Sequence, residues 1–139
     1  MFSLKSAREI EVLRRANVIV AEILKELKEK IAPGVTTLEL DALAEELTYK
    51  KKARPAFKGY KVGDKVYPYT LCASVNDEIV HGMPSDRVLQ EGDIIGLDFG
   101  VVYDGFYGDS AITVGVGEVS DEAKRLMQVT EEALQKGIE

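Results

Sequence analysis

Two aspartates, Asp98 and Asp109, lie in a stretch otherwise built from strand-forming apolar residues and glycine, IIGLDFGVVYDGFYGDSAITVGVG (94–117). A carboxylate in such a run is costly unless something compensates it. Between the two acids, Tyr103-Asp104-Gly105 carries an Asp-Gly pair, a strong signal for a tight hairpin turn. A fold about that turn places Asp98 and Asp109 opposite one another, or one diagonal apart if the turn slips by a residue or two. Direct opposition sets their Cβ atoms on the order of 5 Å apart. Two opposed carboxylates repel, and a shared proton, a basic partner or a cation would relieve them. No Lys or Arg occurs between Arg87 and Lys124. Hard divalent cations bind carboxylate oxygens and reverse the local electrostatic sign. The residues alone leave three readings: a metal-binding pair, acids solvated at a strand edge, or a pair sharing a proton.

His81 is the one histidine and follows an apolar run in EIVHGMP (78–84). At a strand end it reads as a structural hydrogen-bonder. Beside the acids, histidine's neutral form near pH 7 would instead suit a group facing a substrate.

The positioning elements follow from periodicity and caps. Ser6-Ala-Arg-Glu9 is a capping box, after which Ile10, Leu13, Val20, Leu24, Leu27 and Ile31 recur at helical spacing up to Pro33-Gly34. Thr36 and Glu39 open a second helix with Leu40, Leu43, Ala44 and Leu47 on one face. Pro55 closes the helical region, and a Gly- and Tyr-rich loop, FKGYKVGDKVYPY (57–69), follows. From Leu71 the pattern becomes β, in LCASV, EIVHGM, DIIGLDFGVVY and FYGDSAITVGVG, before Ser120-Asp-Glu starts a last helix. Helices are predicted over about 6–31, 37–52 and 121–137 and strands between about 70 and 117, one α+β domain over 1–139.

Composition narrows the function classes. A chain of 139 residues, 45% apolar and 30% charged, suits a single folded domain. The net charge of −6 gives DNA binding no electrostatic support. The basic cluster YKKKARPAFKGYK (49–61) reads as a solvated helix end or, alternatively, a ribosome contact. No apolar run approaches the roughly 20 residues of a membrane span, and the charged, amphipathic start is unlike a signal peptide. With Cys72 the one cysteine, a reducing cytoplasm is the simplest setting.

FKGY, YPYTLCASVNDEIVHGMP, EGDIIGLDFG and YDGFYGDSAITVGVG together resemble type I methionine aminopeptidases, the pita-bread metallopeptidases of family M24. The combination of His-Gly-x-Pro, Asp98 and an Asp109 in Gly-Asp-Ser carries the likeness most specifically. The resemblance implies half of a pita-bread fold, its antiparallel sheet covered by helices on one face. It implies that Asp98 chelates one metal ion and Asp109 bridges two, the ions being cobalt, manganese, iron or zinc. His81 is then the catalytic-site group that hydrogen-bonds the substrate or the developing tetrahedral intermediate. Phe57, Tyr60, Tyr67 and Cys72 line the pocket for the N-terminal methionine of peptides and nascent chains.

The family's site also takes a histidine and two glutamates from a second half, and this chain is expected to stop where that half begins. KVGDKV lengthens the loop between Tyr60 and Tyr67, and Asp77 replaces a usual Glu. An N-terminal half alone is expected to lack turnover as a monomer and to expose a face suited to self-association. A homodimer would then mimic the pseudo-two-fold axis of the complete fold. A fragment of a prolidase-type pita-bread peptidase is the further alternative.

Overall fold

The Ser6 hydroxyl accepts a hydrogen bond from the Glu9 amide at 3.3 Å, while Glu9 Oε2 accepts from the Ser6 amide at 2.7 Å. This reciprocal cap starts α1 (Ala7–Lys30). Thr36 and Glu39 repeat it at the start of α2 (Thr37–Lys50). In the computed structural model, which describes residues 4–139 apart from the Val62 side chain, six strands follow. They are β1 (Arg54–Pro55), β2 (Lys61–Val62), β3 (Lys65–Val66), β4 (Leu71–Val75), β5 (Ile94–Tyr103) and β6 (Phe106–Gly115). The last helix, α3 (Asp121–Ile138), begins at Ser120, whose hydroxyl accepts from the Ala123 amide.

β5 is the spine of the sheet. β6 pairs along its whole length on one side, and β4 and β1 share the other, all antiparallel. Alternation puts Ile95, Leu97, Phe99 and Val101 on one face of β5, all fully buried, and β4 adds Leu71, Ala73 and Val75. α1 covers this face with Ile19, Val20, Ile23, Leu24 and Leu27, and α2 contributes Leu40, Ala44 and Leu47. The helix lies close because Gly108 has no side chain: a Cβ there would sit 2.5 Å from the Ala16 carbonyl carbon.

Several expectations need correction. EIVHGM forms no strand; the segment is irregular, with Ile79 92% exposed and His81 at a left-handed φ of 59°. Its apolar residues were strand-like in type but have no sheet face to fill. Three short strands, β1 to β3, lie before the predicted start of the β region near residue 70. Pro55 therefore sits within β1, where the lost N–H is tolerated on a two-residue edge strand. Ile10 is exposed rather than part of the buried stripe of α1. The sheet is covered on one face by α1 and α2, but α3 buries none of its residues.

Three of the six basic residues in the cluster 49–61 are in ion pairs. Lys50 reaches Glu46 at 2.6 Å, Lys51 reaches Glu22 at 2.9 Å, and Lys58 reaches Glu45 at 2.7 Å. Among the described residues no helix is long and apolar enough to cross a membrane.

Candidate active site

The open face of the sheet, turned away from α1, carries the candidate residues. Asp98 and Gly100 of β5 share that face, and Cys72 of β4 pairs directly with Asp98. The β5–β6 hairpin closes with Tyr103 opposite Phe106, leaving Asp104 and Gly105 as a two-residue turn. Both have positive φ, 48° and 81°, as the favoured hairpin turn demands. This register pairs Asp98 with Ala111 and Asp109 with Gly100. The two acids are therefore diagonal neighbours on one face, their backbones about 7 Å apart, the slipped arrangement rather than direct opposition.

The diagonal still lets each carboxyl feel the other. Burial, and then the charge of Asp109, hold Asp98 above the ordinary aspartate range, with His81 acting in the opposite sense. Asp109 is also raised by loss of solvent, and its hydrogen bond with Asp98 offsets part of that. α1 fixes β6 at this point, since the Asp109 amide donates to Asn17 Oδ1 at 3.3 Å. Among the described residues, no group of three or more His, Cys, Asp or Glu side chains comes together in a metal-ligating cluster.

His81 reaches the site by an unusual backbone path. The Ala73 amide donates to the Gly82 carbonyl at 2.8 Å, and the Gly82 amide donates to Ser74 Oγ at 3.0 Å. Residues 81–82 therefore run along β4 so tightly that a Cβ at 82 would strike the Ala73 carbonyl oxygen. His81 is exposed and has a left-handed φ, a conformation that costs a non-glycine residue roughly 1 kcal/mol or more, and it lies near enough to act on the charge of Asp98.

Phe57, Tyr67 and Cys72 are brought to the same region. The Phe57 ring edge covers Gly100, with Cε1 3.0 Å from where a Cβ would stand. The Tyr67 hydroxyl donates to the Leu71 carbonyl at 2.9 Å, and burial drives its pKa up, with Cys72 adding to the effect. Cys72 is buried and raised by desolvation, with the nearby Asp98 and Asp109 charges in the same direction and the Tyr67 hydrogen bond opposing. Tyr60 is only attached through its backbone, its carbonyl accepting from the Tyr67 amide at 2.8 Å; its side chain is 65% exposed. Asp41 of α2 escaped the sequence reading, although it is buried and its oxygen accepts from two backbone amides of the segment leading into β4. Its signal was the helical spacing of Thr37, Asp41, Ala44 and Thr48, all buried on one stripe.

Residues 11–139 match the profile of metallopeptidase family M24. The chain belongs to that family. The M24 chain is 50% identical over 139 residues to a methionine aminopeptidase of Aquifex aeolicus, covering 98% of itself and 54% of that protein. Its structure superposes on the crystal structure of methionine aminopeptidase from Rickettsia prowazekii with a TM-score of 0.94 at 36% identity, covering 100% of this chain and 54% of that one. An X-Pro aminopeptidase from Thermotoga maritima matches at a TM-score of 0.77 and 28% identity, over 95% of this chain and 35% of that one. The fold is thus the pita-bread arrangement, and the chain spans about half the length of the curated relatives it matches.

Family M24 membership implies a divalent metal, and the donors present fit one in kind. Asp98 and Asp109 are hard oxygen ligands on one face, each held above its ordinary pKa chiefly by burial. In number they fit as part of a set, because two carboxylates leave most coordination positions to water or to other groups.

Proposed function

We propose that this chain supplies half of the active site of a metal-dependent aminopeptidase that removes the N-terminal methionine of peptides and nascent chains. The observation that carries the reading is the diagonal Asp98–Asp109 pair on the open sheet face, with Cys72 directly beside Asp98. A divalent ion bound there supplies Lewis-acid polarisation of a carbonyl and a water of lowered pKa. Asp98 and Asp109 bind, and the paired strands hold them in fixed relation. His81, strained into place beside them, hydrogen-bonds the substrate carbonyl or the charge that develops on it. Tyr67, Cys72 and Phe57 form an apolar, polarizable wall suited to a thioether side chain, while Tyr60 stands at its rim. The higher identity to methionine aminopeptidases than to the X-Pro enzyme supports methionine over an X-Pro substrate.

Two ligands are an incomplete set, so the monomer is expected to show no turnover. A second reading, assembly of two copies, is favoured by α3, whose Leu126, Val129, Leu134 and Ile138 are all more than half exposed. α3 also abuts β6, whose outer edge has no strand partner among the described residues. A dimer across this surface would join two Asp pairs and two copies of His81.

The test is hydrolysis of a Met-Gly peptide with added cobalt or manganese, at an oligomeric state fixed by sedimentation. Turnover by a dimer that Asp98→Asn abolishes supports the dimeric site. A monomer that binds manganese without turnover, and loses the binding in Asp109→Asn, supports the half-site. Metal binding unaffected by either change would overturn both.

A further inference from the structure

We propose that Asp41, seconded by Glu45, is a positioning residue for the substrate pocket: one face of α2 clamps both ends of the segment that carries the pocket side chains. The inference rests on the pocket assigned above, and it concerns how those residues are held. Asp41 and Glu45 are one helical turn apart, so both project toward the same neighbour. Asp41 Oδ1 accepts from the Thr70 amide at 2.8 Å and from the Leu71 amide at 2.9 Å. Glu45 grips the other end, with both carboxylate oxygens on Lys58 Nζ at 2.7 and 2.8 Å. Phe57 adjoins the Lys58 anchor, while Cys72 and, through its bond to the Leu71 carbonyl, Tyr67 adjoin the Asp41 anchor.

Between the two anchors the chain has little other support. Residues 59–67 pair with themselves, through Gly59 and Tyr67, Tyr60 and Tyr67, and the β2–β3 hairpin, rather than with the main sheet. Thr70 is fully buried, yet its hydroxyl makes no hydrogen bond. The side-chain bracing of the turn into β4 therefore falls to Asp41 on its amides and to the Tyr67 hydroxyl on the Leu71 carbonyl, and of these only Asp41 ties the turn to α2. Burial is what makes the contact matter: the Asp41 side chain is enclosed, so without it two amides lose their acceptor with no water ready to replace it. The Glu45–Lys58 pair is partly exposed and is the weaker of the two anchors.

Cys72, the one cysteine and 5% exposed, reports on this clamp without any need for activity. Alkylation by N-ethylmaleimide under native conditions measures how often the segment lifts. Asp41→Ala is expected to speed Cys72 labelling roughly tenfold or more, the consequence of losing at least one buried acceptor. Asp41→Asn, which keeps an acceptor oxygen, should restore labelling to near the native rate. Glu45→Gln should give a smaller acceleration. The control is Val20→Ala in α1, a core change that removes none of the hydrogen bonds of the clamp, compared with Asp41→Ala at equal loss of Tm. Faster labelling in Asp41→Ala than in the matched control supports local positioning. Equal labelling in the two, or no rescue by Asp41→Asn, overturns it. Should Asp41→Ala fail to fold, Glu45→Gln against the same control decides the question by the same criterion. Failure here would leave the metal-binding test of the aspartate pair untouched, since that test reads manganese rather than Cys72.

Discussion

Replacing the two open-face acids with their amides is the most direct check on why they are there. If Asp98 and Asp109 repel in the metal-free protein, either change alone should stabilise it, because either one removes the repulsion. Two unit charges about 4 Å apart, the reach of carboxyls that share a hydrogen bond, interact by roughly 4 kcal/mol at an effective dielectric of about 20, and by about 1 kcal/mol in bulk water. Asp98 is half-buried and Asp109 is exposed, which places the pair toward the lower figure, about 1 kcal/mol. For a chain of this length that corresponds to a Tm increase of roughly 3–4 °C. The effects should not add: the second substitution finds no repulsion left, so Asp98→Asn with Asp109→Asn gains about 1 kcal/mol less than the sum of the singles. The assay is urea unfolding at pH 8 with EDTA for the native chain, both singles and the double. Manganese should then reverse the order. A ligand at a hundred times its Kd stabilises the native chain by about 2.7 kcal/mol and the double variant not at all. Single changes that destabilise the metal-free protein, or that add without coupling, would refute the repulsion argument.

Asp41 makes a prediction of opposite experimental form. Its pKa is raised, burial outweighing the two amide hydrogen bonds, so its contribution to stability is full below the ordinary aspartate value of 3.8 and declines as pH rises through the folded-state value. Urea unfolding between pH 3 and 7 should therefore show the native chain losing ground to Asp41→Asn as pH rises, and a gap that widens the other way would show that the amide bonds dominate. Two glycines in one hairpin should also behave differently. Gly108→Ala drives a Cβ into the α1 backbone at Ala16 and should cost about 3 kcal/mol or more, whereas Gly105→Ala meets no atom within 4 Å and bears only the cost of its φ of 81°, about 1 kcal/mol. Thermal melts of the two variants check the ranking.

How much could be read from the residues depends on which kind of regularity each feature uses. Helix starts were legible because a capping box is local: Ser6 with Glu9 and Thr36 with Glu39 need nothing beyond four residues. The short strands β1 to β3 were not, because a two-residue strand carries no period and exists only through its partner. EIVHGM misled for the converse reason. Its composition suits a strand, yet positive φ at Asn76 and His81 takes the chain off the sheet, and that backbone path follows from Gly82 seating on β4, a long-range contact. Asp41 was hidden because a carboxylate on a helix is ordinarily solvated, and only the approach of Thr70 and Leu71 from 29 and 30 residues away makes it internal.

The shared face of the aspartate pair does not depend on the exact position of the hairpin turn. A turn centred on Tyr103-Asp104 and the observed turn at Asp104-Gly105 shift the partner of Asp98 by two residues, from Asp109 to Ala111. Strand side chains alternate with period two, so that slip changes the neighbour and preserves the face. Asp98 and Asp109 still meet on the open side, in the diagonal arrangement that a slipped turn allows, and the case for a charge in need of a cation is unchanged. A slip of one would not have been harmless. It would turn Asp109 toward α1, at the level where the Ala16 backbone leaves no room for even the first carbon of a side chain at Gly108. The glycine beside the acid in Gly-Asp-Ser thus does more than ease a close packing. It makes one of the two possible faces sterically unavailable to its neighbour's carboxylate, and so commits Asp109 to the side where Asp98 stands.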